Sequence, residues 1–169
     1  MKRLLGLLIA LTWVFTFTSC SSDSFEDELE YTQSTTGNEK VSIDPVAMEE
    51  SLLSLINDHR VSIGLNELEI STTSYKYAEE HNDYMISQNS LSHDNFDDRA
   101  EKIAAEMSAV SISENVARFY SSAEITMNAW LESATHRSAM EGDFTHTTLS
   151  VQLDKDGRPY YTEIFIKVE

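Results

Sequence analysis

The sequence predicts an α+β domain. Amphipathic helical segments come first, two alternating segments joined by a glycine turn close the chain, and one short strand lies between them. The first helix runs from Pro45 to near Gly64, with Leu52, Leu53, Leu55 and Ile56 set among charges. Proline suits a first helical turn, where its missing N–H would have no partner anyway, and glycine suits the stop. A second helix spans Ser71 to Gln88, where Tyr75, Ala78, His81, Tyr84 and Met85 recur at three and four residues and share one face. Ile103, Ala104 and Met107 do the same over Asp97 to Met107, and Ile125, Ala129 and Trp130 over Ser122 to Leu131. Between these two, Ser111 to Phe119 alternates as a strand does. Thr148 to Leu153 and Tyr160 to Val168 flank Asp154-Lys-Asp-Gly157, the pattern of a β-hairpin. No repeat or second domain is evident, and with two prolines and five glycines the irregular connections should be short.

Ahead of this domain the chain reads as an export signal. Lys2 and Arg3 precede an apolar stretch from Leu4 to Phe17, then Thr18-Ser19-Cys20 leads into polar sequence. The apolar run falls short of the ~20 residues that span a bilayer. A small residue before the only cysteine resembles a lipobox, although Phe17 stands where such boxes usually carry leucine. Residues 1–19 are then a lipoprotein signal peptide, cut so that Cys20 becomes an acylated N-terminus. The alternative is an ordinary signal with a free thiol left over, a liability in an oxidising compartment. Residues 20–44 are acidic, Ser/Thr-rich and aperiodic, as in a flexible tether, and residues 45–169 are the folded part. The expected place is the cell envelope, lipid-anchored at the outer membrane, with the acidic run Glu26 to Glu30 resembling a surface-export signal.

The formal charge is −17, and removal of Lys2 and Arg3 with the signal would lower it to −19. Such a surface repels nucleic acid and anionic headgroups, so nucleic acid is excluded as a partner. The expected partners are the membrane, through lipid on Cys20, and an unknown protein or apolar small molecule. With no disulfide, about 125 residues must hold together by their apolar core.

Four pieces, in this order, resemble one family. Asn57-Asp-His-Arg60 with Gly64-Leu-Asn-Glu-Leu68 is similar to its N-x-x-R-x-x-x-G-L-x-x-L opening. Ala78-Glu-Glu-His81 leads to Leu91-Ser-His93, and Ser113-Glu-Asn-Val-Ala117 is similar to G-E-N-[IVL]-A. Trp130-Leu-Glu-Ser-Ala-Thr-His-Arg137 is similar to W-x-x-S-P-G-H-R, and the hairpin ends in Tyr161-Thr-Glu-Ile-Phe165, close to Y-x-T-Q-x-F. Together they resemble the bacterial branch of the CAP/SCP superfamily, the cysteine-rich secretory protein, antigen 5 and pathogenesis-related-1 group. The resemblance implies a three-layer α-β-α sandwich around a small, mainly antiparallel sheet. It also implies a cleft holding His93, Glu114 and His136, with Ser133 where many eukaryotic members carry a second glutamate. Ser113 replaces the usual glycine, and Ala134-Thr135 replaces Pro-Gly in the loop that aims His136.

Two imidazoles and a carboxylate suit Zn²⁺ or another divalent cation, with Glu114 either a ligand or the group that fixes a histidine tautomer. The plainer reading is a hydrogen-bonded polar cluster. A catalytic reading adds Ser133 or Ser92 as a hydroxyl beside the histidines. No zincin, nucleophile-elbow or phosphate-loop motif occurs. The leading expectation is an envelope lipoprotein that binds a ligand, metal ion or partner protein through this cleft. The alternative is a metal-assisted, peptidase-like hydrolase with His93 and His136 as ligands and Glu114 as general base; a structural or adhesive lipoprotein is a third. His81 reads as a core histidine able to reach the cleft rim, and His59 and His146 as surface or loop residues.

Overall fold

A computed structural model describes residues 42–169. The signal peptide, Cys20 and all but the last three residues of the tether lie outside the described residues. The elements in chain order are α1 (Pro45–Ser62), β1 (Glu69–Ile70), α2 (Tyr75–Gln88), α3 (Phe96–Met107), β2 (Ala109–Arg118), α4 (Ala123–Glu132), α5 (Ala134–Met140), β3 (His146–Leu153) and β4 (Pro159–Val168). The sheet has the order β1-β3-β4-β2. β1 joins β3 in parallel, and β4 is antiparallel to both of its neighbours.

Side chains alternate between the two faces of a strand, so each face gathers its own helices. Tyr161 and Phe165 of β4, with Leu149 and Val151 of β3, pack against Leu52 and Ile56 of α1, Met127 and Trp130 of α4, and Met140 of α5. On the other face Ile164 and Ile166 meet Tyr77 and Ala78 of α2 and Ile103 of α3, while Tyr160 and Val116 meet Met85. This is the α-β-α sandwich expected. Leu52 is wholly buried, and its truncation to alanine should cost about 2–5 kcal/mol.

The opening motif has a mechanical reason. Asp44 caps α1 by accepting from the backbone N–H of Val46 at 3.0 Å. Asn57 then exchanges two hydrogen bonds with the Leu68 backbone, fixing where the chain turns back. Arg60 is buried and donates to the carbonyls of Asn66, Met140 and Gly142. One side chain thereby ties α1 to the segment after α5. Gly142 has no room for a side chain, because a Cβ there would meet the Phe144 ring.

Two elements depart from the sequence reading. The segment Ala134-Thr135 is the start of helix α5 rather than a loop, and it went unseen because seven residues give too little period to read. β1 is only two residues long, below what alternation can signal. A third departure concerns burial. β4 is an inner strand covered on both faces, so its polar residues Thr162 and Glu163 are wholly buried. Thr162 donates to Asn82 Oδ1 at 2.7 Å. Among the described residues Glu163 hydrogen-bonds only with the Thr147 hydroxyl, and burial pushes its carboxyl up to about 8. Protonated, it donates to Thr147 Oγ1, which donates on to the Ile164 carbonyl at 3.0 Å.

Candidate functional site

His93 lies on the connection from α2 to α3, which is bounded by two asparagines in the left-handed region, Asn89 at φ 48° and Asn95 at φ 59°. Asparagine tolerates that backbone better than most residues, so the pair can turn the chain sharply at both ends of the segment. Glu114 sits on β2, opposite Ile164, and its side chain reaches the α2/α3 face. His136 rides on α5, on the other face. The site therefore straddles β2, the outer strand of the sheet.

Glu114 organises this site. Its side chain is only 1 % exposed and meets the buried Arg99 of α3 in a fork, Nε to Oε2 and Nη2 to Oε1, each at 2.8 Å. Such bidentate, charge-assisted pairs are the strong ones, and burying one partner without the other would be costly. The same carboxylate accepts from His93 Nδ1 at 2.9 Å. Since a carboxylate in an ion pair only accepts, the neutral His93 ring carries its proton on Nδ1 and leaves Nε2 as the bare nitrogen. That ring is half-exposed, at 51 %. The arrangement is a carboxylate–imidazole pair with an open nitrogen.

His136 is half-buried, its ring 6.3 Å from that of Trp130. Burial pushes its pKa below the ordinary 6.5, and the nearby His93 adds to this. The position of His136 is held from beneath: Asn115, buried on β2, donates to the His136 carbonyl at 3.0 Å. Ser133 is the N-cap of α5, its hydroxyl accepting from the His136 backbone N–H at 3.5 Å. That contact is to backbone, and no hydrogen bond joins Ser133 to an imidazole among the described residues. Ser92 accepts with its carbonyl from His81 at 2.8 Å and with its hydroxyl from the Asp94 N–H at 3.4 Å.

His81 is buried but belongs to this neighbourhood, since its Nε2 lies 3.8 Å from Glu114. Burial pushes its pKa down, so the ring is neutral and that separation is neither an ion pair nor a hydrogen bond. His59 meets Glu141 at 3.0 Å and ties α1 to the end of α5. His146 opens β3, two strands from β2, and faces Glu69 at 3.6 Å.

Among the described residues no three His, Cys, Asp or Glu side chains are grouped to hold a metal ion. With both oxygens of Glu114 committed to Arg99, the three-ligand set does not fit as three direct ligands. A divalent ion here would rest on the two imidazoles with Glu114 behind His93. Sequence reasoning missed Arg99 and Asn115. The only trace of Arg99 was a basic residue four positions before Ile103, hence on the buried face of α3. A cavity of about 600 Å³ lined by Ser113, Ala134, Thr135, Ser138 and Phe144 is within the size range of small-molecule sites, but His93, Glu114 and His136 are not among its lining residues.

Comparison with known proteins agrees with this architecture. The profile of the cysteine-rich secretory protein family, CAP, matches residues 53–165. A membrane protein of Bacillus subtilis, YlbC, described as uncharacterized, is 34 % identical over 125 residues, covering 70 % of this chain. The chain spans about a third (34 %) of that relative's length. An outer surface protein from Borrelia burgdorferi superposes with a TM-score of 0.68 at 25 % identity, covering 75 % of this chain and 97 % of that one. An extracellular SCP-domain protein from Bacillus anthracis gives a TM-score of 0.63 at 24 % identity over 73 % of this chain and 41 % of its own. These relatives are membrane-associated, surface or extracellular proteins, and among the described residues no helix is long and apolar enough to cross a membrane. By its motifs, its fold and the family profile, the chain belongs to the cysteine-rich secretory protein (CAP) family.

Proposed function

We propose that this chain is an envelope-anchored CAP-domain lipoprotein, attached through acylated Cys20, that binds a ligand or partner protein through the cleft of His93, Glu114 and His136. The observation that carries this reading is the Arg99–Glu114–His93 relay, which fixes an imidazole so that its free nitrogen faces solvent. A buried ion pair is an expensive way to hold a surface side chain, and is reasonable where that side chain must be positioned for a contact. A cavity lined in part by Thr135, the residue before His136, offers room for a ligand on the α5 face. The test is cross-linking capture in cells with the wild-type chain and a His93→Ala, His136→Ala variant of unchanged fold. A partner lost only in the variant is the expected result. Turnover of a peptide or ester that disappears in His136→Ala would overturn a purely binding role. For the anchor, a Cys20→Ser precursor that still matures and stays on the membrane would refute lipidation.

The carboxylate–imidazole pair also favours a second reading, a metal-assisted hydrolase in which His93 Nε2 and His136 hold a divalent ion such as Zn²⁺. When bound, the ion would supply an activated water. Here Glu114 orients His93 and is too committed to Arg99 to serve as general base. Zn²⁺ titration decides it: stoichiometric binding that the double variant loses supports this reading, and absence of binding removes it.

A further inference from the structure

A second recess lies between α2 and α3, and Tyr77, Glu80, His81, Tyr84, Arg99 and Lys102 are among the residues that line it. Its volume, about 190 Å³, is below the ~300–1,000 Å³ of drug-sized sites and matches one long side chain. Two aromatic rings stand in it, each fixed by its phenol: Tyr84 donates to Asp94 at 2.9 Å and Tyr77 to Glu106 at 2.7 Å. Tyr84 stacks on the His81 ring, 6.1 Å between centroids and 12° between planes.

His81 gives the recess its polarity. The side chain is 1 % exposed, and its Nε2–H is donated to the Ser92 carbonyl. Nδ1 is therefore a bare acceptor, and no donor reaches it among the described residues. The two cations of the lining are already neutralised, Arg99 by Glu114 and Lys102 by Asp98 at 2.7 Å. Glu80, exposed on α2, takes part in no ion pair among the described residues, although Lys102 feels its charge. The recess therefore keeps a carboxylate without a direct partner beside the Tyr84 ring and an acceptor nitrogen. Its surroundings agree in sign, since the chain carries a formal charge of −17.

We propose that the recess between α2 and α3 is a receptor for one cationic side chain, the ammonium of a lysine presented by a peptide or protein. The ammonium would donate to Glu80 and lie against the Tyr84 ring, an arrangement in which cation–π attraction and a charge-assisted hydrogen bond act together. The Tyr77 ring already carries the Lys76 ammonium 4.8 Å from its centroid. The recess shares Arg99 and His81 with the neighbourhood of Glu114 but is not lined by His93 or His136, so its binding can be tested apart from theirs.

The test uses the full chain and two peptides, acetyl-Ala-Lys-Ala-amide and its norleucine counterpart, followed by backbone amide shifts. The lysine peptide should give saturable shifts centred on Glu80, His81 and Tyr84, weakening with added salt. Glu80→Gln and, separately, Tyr84→Leu should each weaken it by about tenfold or more. Glu80 is exposed and Tyr84 only half-buried, so these variants should fold, which unfolding curves check, and His93→Ala should bind as wild type does. Equal response to norleucine, failure to saturate in the millimolar range, or unchanged affinity in both α2 variants would overturn the proposal. So would loss of binding in His93→Ala with Glu80→Gln unaffected, which would move the contact to the cleft.

Discussion

Two buried glutamates on neighbouring strands show what this sheet does with a carboxylate. Glu114 on β2 and Glu163 on β4 are one register step apart, since Asn115 faces Glu163 and Glu114 faces Ile164. They point to opposite faces. Glu114 meets a guanidinium and an imidazole at the edge of the sheet, whereas Glu163 lies in the middle of the apolar α1/α4/α5 face with only a threonine hydroxyl for company. The first is held as half of an ion pair and its charge is put to use in aiming His93. The second is kept neutral, and its proton satisfies Thr147. A buried acid in this fold is therefore held charged or kept neutral according to whether a cation lies within reach.

The largest way to break the contrast is to remove the cation. Arg99→Met should strand Glu114 and lower stability by about 3–5 kcal/mol, measured by urea unfolding, with His93 losing its fixed orientation. Next comes the other acid. A carboxyl whose pKa rises from its ordinary 4.5 to about 8 on folding binds more protons folded than unfolded in that window. The stability this carboxyl contributes should therefore be full below about pH 4.5 and be lost as pH rises through about 8, by an amount on the order of a few kcal/mol. Glu163→Gln, which keeps a donor for Thr147 and restores the residue usual in the motif, should fold normally and flatten that slope. A Glu163→Gln protein with the same alkaline slope would remove Glu163 as its source.

A smaller effect, about 1 kcal/mol, is expected for Asn115→Ala, which frees the His136 carbonyl. Unfolding curves together with a changed His136 ring environment would register it. The smallest is acidic. His81 and His136 both have pKa values below the ordinary 6.5, so the unfolded chain binds their protons first, and stability should decline as pH falls below 6.5. His81→Asn should shallow that acid limb without altering the slope that belongs to Glu163.

How much of this was legible follows from the kind of signal each residue leaves. Helices α1 to α4 and the β3–β4 hairpin announce themselves through period, because each has enough residues to show a face. Helix α5 does not, and with it the reason for Ser133 was hidden: a serine before a histidine reads as a nucleophile until the helix cap is seen. The family resemblance gave the layers that period alone cannot arrange, and it pointed to His93, Glu114 and His136, of which the structure joins His93 to Glu114 directly. Arg99 escaped because a single arginine in an acidic helix looks like a solvated charge, and only the packing of α3 on β2 turns it inward. Glu163 escaped for a related reason. Alternation tells which face a residue takes but not that both faces of β4 are covered.

The proton of His93 is the most direct test of the relay, and a long-range ¹H–¹⁵N correlation spectrum of the histidine rings in the full chain would locate it. Neutral His93 carrying hydrogen on Nδ1 with a bare Nε2, beside His81 with hydrogen on Nε2, is the predicted result, and Arg99→Met should disturb the first. A His93 ring that instead carries its hydrogen on Nε2 would contradict the account, because Glu114 would then not be holding it and no open nitrogen would face the cleft.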